Sequence, residues 1–157
     1  MKKIVVYYSM SENVDYVARI IAEKTGADLL RLVPEKAYPD KGLKKFYWGG
    51  KAALMGEKPG FEPYVFDKDY DLIIFGSPVW ASCFTPPIRT FIADNKEALK
   101  DKKFAAYVCC SGSGGQRALN KLKEELNIDG FTVEAIFIDP KDKKGSEEKI
   151  ETFIKGL

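Results

Sequence analysis

Three short segments of this 157-residue chain carry side chains and backbone suited to chemistry. The first is Ser9, Met10, Ser11, Glu12, Asn13 and Val14, where two hydroxyls and an amide stand at the start of a helical pattern. Backbone N–H groups and the positive end of a helix dipole converge there, so the segment can hold an anion. It has no Lys or Arg and no GxxxxGK pattern, which weighs against a nucleoside-triphosphatase loop and suits a phosphate monoester held by neutral donors. Helix capping is the competing use, because Ser9 and Glu12 have capping-box spacing.

The second segment is Ser77, Pro78, Val79, Trp80 and Ala81, a large aromatic directly after an apolar run. An indole there can cover a planar heterocycle or simply close the core. The third, Ser111 to Gly115, has little side-chain bulk and lets backbone approach a flat ring edge, with Ser111, Gly112 and Gly115 as the contact points. It is not a dinucleotide fingerprint, since the third glycine of GxGxxG would fall at Arg117.

Other chemistries are excluded or weak. The chain has no histidine, so Ser-His-Asp and Cys-His pairs cannot form and most catalytic zinc sites lack their ligand. Cys83, Cys109 and Cys110 show no CxxC spacing and no even framework, which predicts a reducing, cytoplasmic setting. Cys83 and Arg89 have the C-x5-R spacing of cysteine phosphatases, but Pro86 and Pro87 between them offer no N–H to a phosphate. A phospho-receiver domain needs carboxylates at the first and third strand ends, where Tyr8-Ser9 and Gly76-Ser77 stand instead.

The elements that must position these loops follow from periodicity. Short β-branched and aromatic runs at Ile4 to Tyr8, Asp28 to Val33, Asp71 to Phe75, Phe104 to Cys109 and Phe131 to Ile138 predict five strands. Helical spacing is expected from Val14 to a stop at Gly26, across Leu43 to Met55 as a helix or irregular connection, and over Pro87 to Leu99, Gly115 to Leu126 and Ser146 to Ile154. Glu57 to Tyr64 reads as a surface connection. Alternating β and α elements with continuous apolar strands predict an α/β fold, a doubly wound five-stranded parallel sheet of order 2-1-3-4-5 with helices on both faces. One domain over residues 1–157 is expected, and the three loops then meet at the switch between the first and third strands.

Twenty-five basic and 23 acidic residues give a charge of +2, which supplies no reason to expect nucleic acid or a membrane as partner. The lysines at 41, 44, 45, 51 and 58 and at 100, 102 and 103 read as solvated faces, and Phe46, Tyr47 and Trp48 as one buried helix face, with a subunit contact or a cover over the ligand as alternatives. Behind Lys2 and Lys3, the apolar run ends at Tyr8, too short for a signal or membrane span.

With these residues in place, the chain resembles the flavodoxins along its whole length. Tyr-Ser-Met-Ser-Glu-Asn-Val at 8–14 is similar to their phosphate loop, Ser/Thr-x-Ser/Thr-Gly-Asn-Thr, and Gly-Ser-Pro-Val-Trp at 76–80 with Thr-Pro-Pro-Ile-Arg-Thr-Phe at 85–91 resembles the flavin-contacting segment of short flavodoxin-like proteins. The resemblance implies FMN as cofactor, its phosphate on Ser9, Ser11, Asn13 and the N–H groups to Val14, its ring lined by Pro78 to Ala81 and approached by Ser111, Gly112 and Gly115. It implies electron transfer through the flavin to a redox partner protein or a small acceptor, with no side-chain acid–base catalyst. The alternatives are an NAD(P)H-dependent flavin reductase of quinones or other small acceptors, and a binding protein that keeps the fold without flavin. Flavodoxin carriers are strongly acidic and this chain is not. Glu12 stands where the family has Gly, and Val14 where it has Thr, so a strained turn and a negative charge beside the phosphate predict weakened FMN binding.

Overall fold

The computed structural model describes residues 1–36, 60–66 and 69–157. The expected segment Leu43 to Met55, the lysine cluster from Lys41 to Lys58, the aromatics Phe46 to Trp48 and part of Glu57 to Tyr64 lie outside these residues.

Five parallel strands form one sheet in the order β2-β1-β3-β4-β5. They are β1 (Lys3–Tyr7), β2 (Asp28–Arg31), β3 (Leu72–Pro78), β4 (Lys103–Cys110) and β5 (Glu134–Ile138). The helices among the described residues are α1 (Asn13–Thr25), α2 (Pro86–Asp94), α3 (Lys96–Leu99), α4 (Gly115–Leu126) and α5 (Ser146–Lys155).

Strand residues alternate between faces, so one apolar run feeds two cores. Val5, Tyr7, Leu72, Ile74, Ala105 and Tyr107 pack with Val17 and Ile21 of α1 and Ile150 and Phe153 of α5. Their neighbours Ile4, Val6, Ile73, Phe75, Phe104 and Val108 pack with Ile88 and Phe91 of α2 and Leu119 and Leu122 of α4. This is the doubly wound arrangement that the apolar runs predict.

The differences from the sequence reading are local. β3 does not stop before Gly76 but runs on to Pro78, because Ser77 and Pro78 register with Val108 and Cys109 of β4. The helix expected to Leu99 breaks at Asn95, whose Nδ2 donates to Phe91 O at 2.9 Å and to the Tyr64 hydroxyl at 2.8 Å. That side chain competes with the helix for backbone partners. β2 and β5 are shorter than expected, at four and five residues. α1 ends as predicted at Gly26, which takes the left-handed φ of 71° that glycine tolerates.

Gly76 sits opposite Tyr107 across β3 and β4. A Cβ at position 76 would run into the Tyr107 phenol. The space left by glycine admits this fully buried ring, whose hydroxyl donates to Val14 O at 2.9 Å and so ties mid-sheet to the first turn of α1. Gly76→Ala should cost about 1–3 kcal/mol by overpacking; an unchanged urea unfolding midpoint would contradict this contact.

Candidate functional site

Parallel pairing brings the carboxyl ends of all five strands to one rim, and the direction of chain crossover reverses between β1 and β3. A crevice of about 250 Å³ opens there. Met10, Ser11, Asn13 and Val14 form one side, Pro78, Val79 and Trp80 another, and Cys109, Cys110, Ser111 and Asp139 a third. A hollow of about 1070 Å³ lies at the other end of the sheet beside Leu99, Phe104 and Ile128. Its polar lining comes from long surface side chains such as Lys96, Glu97 and Lys100, so its size does not mark a site.

The first side is defined by its donors. Among the described residues, the backbone N–H groups from Met10 to Val14 have no protein acceptor, whereas that of Asp15 reaches Ser9 Oγ at 3.2 Å and that of Tyr16 reaches Glu12 O at 2.8 Å. A helix start always leaves such amides over. Four of the five residues that carry them, Met10, Ser11, Asn13 and Val14, line the crevice. Ser9 is buried and lies behind the loop rather than in the crevice. Glu12, at the N-cap, has a left-handed φ of 67°, the conformation its position predicts for glycine. The capping box suggested by Ser9 and Glu12 does not form, because the helix starts four residues after Ser9 with Glu12 as its N-cap, and the Glu12 carboxylate pairs with Lys141 Nζ from the loop after β5.

Behind the loop, a network holds its backbone. Arg31 Nη2 of β2 donates to Ser9 O at 3.1 Å, and Arg31 Nη1 lies 3.4 Å from Asp15 Oδ1. Asp15 also accepts from Arg19 Nε and from the Tyr7 hydroxyl, each at 2.6 Å. Burial works against the Asp15 carboxylate, but the Arg19 and Tyr7 hydrogen bonds outweigh it and hold this carboxyl below the usual range. Burial first, then the hydrogen bond to Asp15, pushes the Tyr7 phenol up to about 12.

On the second side, Trp80 and Cys83 exchange backbone hydrogen bonds of 2.9 and 3.0 Å around Ala81 and Ser82, whose φ values are 50° and 57°. Two successive left-handed residues make a type I′ turn, normally built on Asn or Gly. This turn presents the half-buried indole edge-on to Tyr8, with ring centroids 5.6 Å apart. Ala81 lies on the exposed turn outside the crevice. Ser77 is fully buried and its hydroxyl is used internally, taking the Thr85 N–H at 2.9 Å beside the Thr85 hydroxyl at 3.0 Å. It buttresses the turn and does not line the crevice.

On the third side only Ser111 of the expected trio lines the space. Gly112 is exposed beside it, and Gly115 meets Ile136 of β5, where a Cβ would come within 2.7 Å, so its smallness serves helix-to-strand packing. Cys109, Cys110 and Asp139 are lining residues that sequence reasoning missed; the register of β4 and β5, which ends Cys110 against Ile138, is the signal that places them. Burial pushes both thiols up, so they are neutral walls. Cys83 is only 2% exposed, and Pro86 and Pro87 open α2, so the C-x5-R segment forms no phosphate cradle. No cluster of metal-ligating side chains occurs among the described residues, and no helix among them is long and apolar enough to cross a membrane.

The flavodoxin family model matches residues 2–132. A flavoprotein from Lactobacillus acidophilus, solved in complex with FMN, is 22% identical over 97% of each chain with a TM-score of 0.72. Oxidised flavodoxin 1 from Bacillus cereus is 17% identical over 99% of this chain and 96% of its own, TM-score 0.56. A flavone reductase is 14% identical over 99% of this chain and 60% of its own, TM-score 0.57. At these identities the likeness is one of fold. The curated proteins give no significant match.

The Tyr7–Asp15 contact has a pH signature. With the folded-state value raised to about 12 from 10.0, Tyr7 contributes stability that is fully present below pH 10 and lost as pH rises toward 12. Tyr7→Phe should therefore flatten the alkaline fall in unfolding free energy across that window; a fall as steep as in the parent chain would count against the contact.

Proposed function

Because the chain belongs to the flavodoxin family, we propose that its rim crevice holds FMN and that the protein transfers electrons through this flavin. The observation that carries the reading is the run of five amides, Met10 to Val14, that have no acceptor among the described residues at the approach to α1. A phosphate monoester satisfies such donors and is favoured by the helix dipole. Ser11 and the free amide nitrogen side of Asn13, whose Oδ1 already accepts from Lys141 N at 3.3 Å, add side-chain donors. Ser9 acts from behind, by fixing Asp15 N.

The ring would lie against Pro78, Val79 and Trp80, with Cys110 and Ser111 at its other edge. A site of about 250 Å³ is smaller than the roughly 300–1,000 Å³ of pockets that enclose drug-sized ligands. It suits a ligand gripped at one end and accessible at the other. When bound, FMN supplies the redox chemistry, and the chain supplies grip, orientation and access. Half-buried Trp80 would exclude water from a bound ring, and the neutral thiols of Cys109 and Cys110 would add no charge beside it.

The charge of +2 supports a second reading for the acceptor. A basic protein partner gains nothing from docking to such a surface, so reduction of a small acceptor at the expense of a nicotinamide donor is the alternative to carriage between proteins. Steady-state oxidation of NADH or NADPH with a quinone separates the two: rapid turnover supports the reductase.

Titration with FMN, followed by flavin absorbance and Trp fluorescence, tests the cofactor. Saturable binding is expected, and Trp80→Ala should weaken it about five- to tenfold, the size of an aromatic contact of about 1–1.4 kcal/mol. A chain that neither quenches nor binds FMN would overturn the reading.

A further inference from the structure

The proposed phosphate loop contains no cation of its own, and the nearby arginines are already committed. Arg19 is paired with Asp15, and Arg31 is shared between Asp15 and Ser9 O. The loop does carry a carboxylate, at Glu12, on the N-cap of the helix whose amides must bind the anion. A carboxylate in that place repels a phosphate and can compete with it for the same N–H groups.

A second segment answers this charge. Lys141, in the connection from β5 to α5, places its Nζ on Glu12 Oε2 and its backbone N–H on Asn13 Oδ1 at 3.3 Å, so it clips two successive loop residues. The same connection begins with Asp139, a crevice residue held at φ 41°, whose carbonyl accepts from Asp142 N and Lys143 N at 3.0 and 3.1 Å. The clip therefore joins two sides of the crevice. The side chains of Lys141 and Glu12 are 48% and 69% exposed, and such a pair contributes little to folding. Its consequence lies in the field it sets at the rim.

Resting on the assignment of the crevice to FMN, we propose that Lys141 is a positioning residue for phosphate recognition: it draws the Glu12 carboxylate aside from the Met10–Val14 amides and cancels its charge, so that a loop departing from glycine at this position still accepts an anion.

The test is a double-mutant cycle read by binding rather than turnover, with FMN and riboflavin as the probes, since they share the ring and differ in the phosphate. Lys141→Gln should weaken FMN about tenfold, the order expected when a unit charge acts on a dianion across a partly exposed rim, and leave riboflavin unchanged. Glu12→Gln should tighten FMN by a similar factor. The double variant should bind FMN within about threefold of the parent chain, because both members of a cancelling pair are gone, and Lys141→Arg should preserve binding. If the parent chain binds FMN and Lys141→Gln alters neither flavin, or alters both equally, the inference is overturned while the cofactor assignment stands. If the parent chain binds neither flavin, the assignment fails. Inorganic phosphate, followed through the amide resonances of Met10 to Val14, then decides the clip by itself: a Lys141 dependence supports it and none overturns it.

Discussion

Among the described residues, five amide hydrogens leading into α1 find no partner, and most of what surrounds them keeps them that way. Helix starts usually satisfy such donors with a side chain folded back from the cap. Here Ser9 takes only the Asp15 N–H, and the cap residue Glu12 turns outward to Lys141. The loop backbone is clamped from below by Arg31 and from the sheet by Tyr107, so the donors are held in register with solvent rather than collapsed onto the protein. Preorganised donors of this kind bind an anion without first having to be assembled.

The sheet makes the rest of the crevice follow. Parallel strands deliver every connecting loop after β1, β3, β4 and β5 to the same rim, and the reversal between β1 and β3 parts the helices there. Each loop meets the requirement differently. The turn after β3 uses two left-handed residues and a buried Ser77–Thr85 pair to stand an indole at the edge. The loop after β4 reduces side-chain bulk, and its glycines admit Ser82 at Gly114 and Ile136 at Gly115. The connection after β5 closes the circuit by reaching back to the first loop.

Much of this was legible in the residues. Continuous apolar runs marked β1, β3 and β4, because burial on both faces leaves no polar interruption there; β2 and β5, at the sheet edges, are less buried, and α4 was readable end to end from Gly115 to Leu126. Boundaries were harder wherever a tertiary partner decided them: Ser77 and Pro78 join β3 only through register with β4, and Asn95 ends α2 only because Phe91 O and Tyr64 are within reach. Ser11, Asn13 and Trp80 line the rim crevice at the strand ends where their type and place put them. Ser77 and Gly115 lie outside the crevice lining, because a hydroxyl or a glycine near a strand end serves packing as readily as binding, and their partners stand 8 and 21 residues away in sequence. Cys109 and Cys110 end β4, and Asp139 and Lys141 follow β5; no pattern local to these residues announces that the two strand ends meet the first loop.

The phenol of Tyr107 reaches from mid-sheet to the first turn of α1, and it can do so only over a residue without a side chain at 76. Three positions far apart in the chain thus form one mechanical unit. Divergence at any of them is confined by the other two: a larger residue at 76 must come with a smaller ring at 107, and losing that ring frees the helix start to settle elsewhere. Related chains should therefore vary at 76 and 107 together or not at all, a covariation imposed by volume rather than by chemistry at the rim.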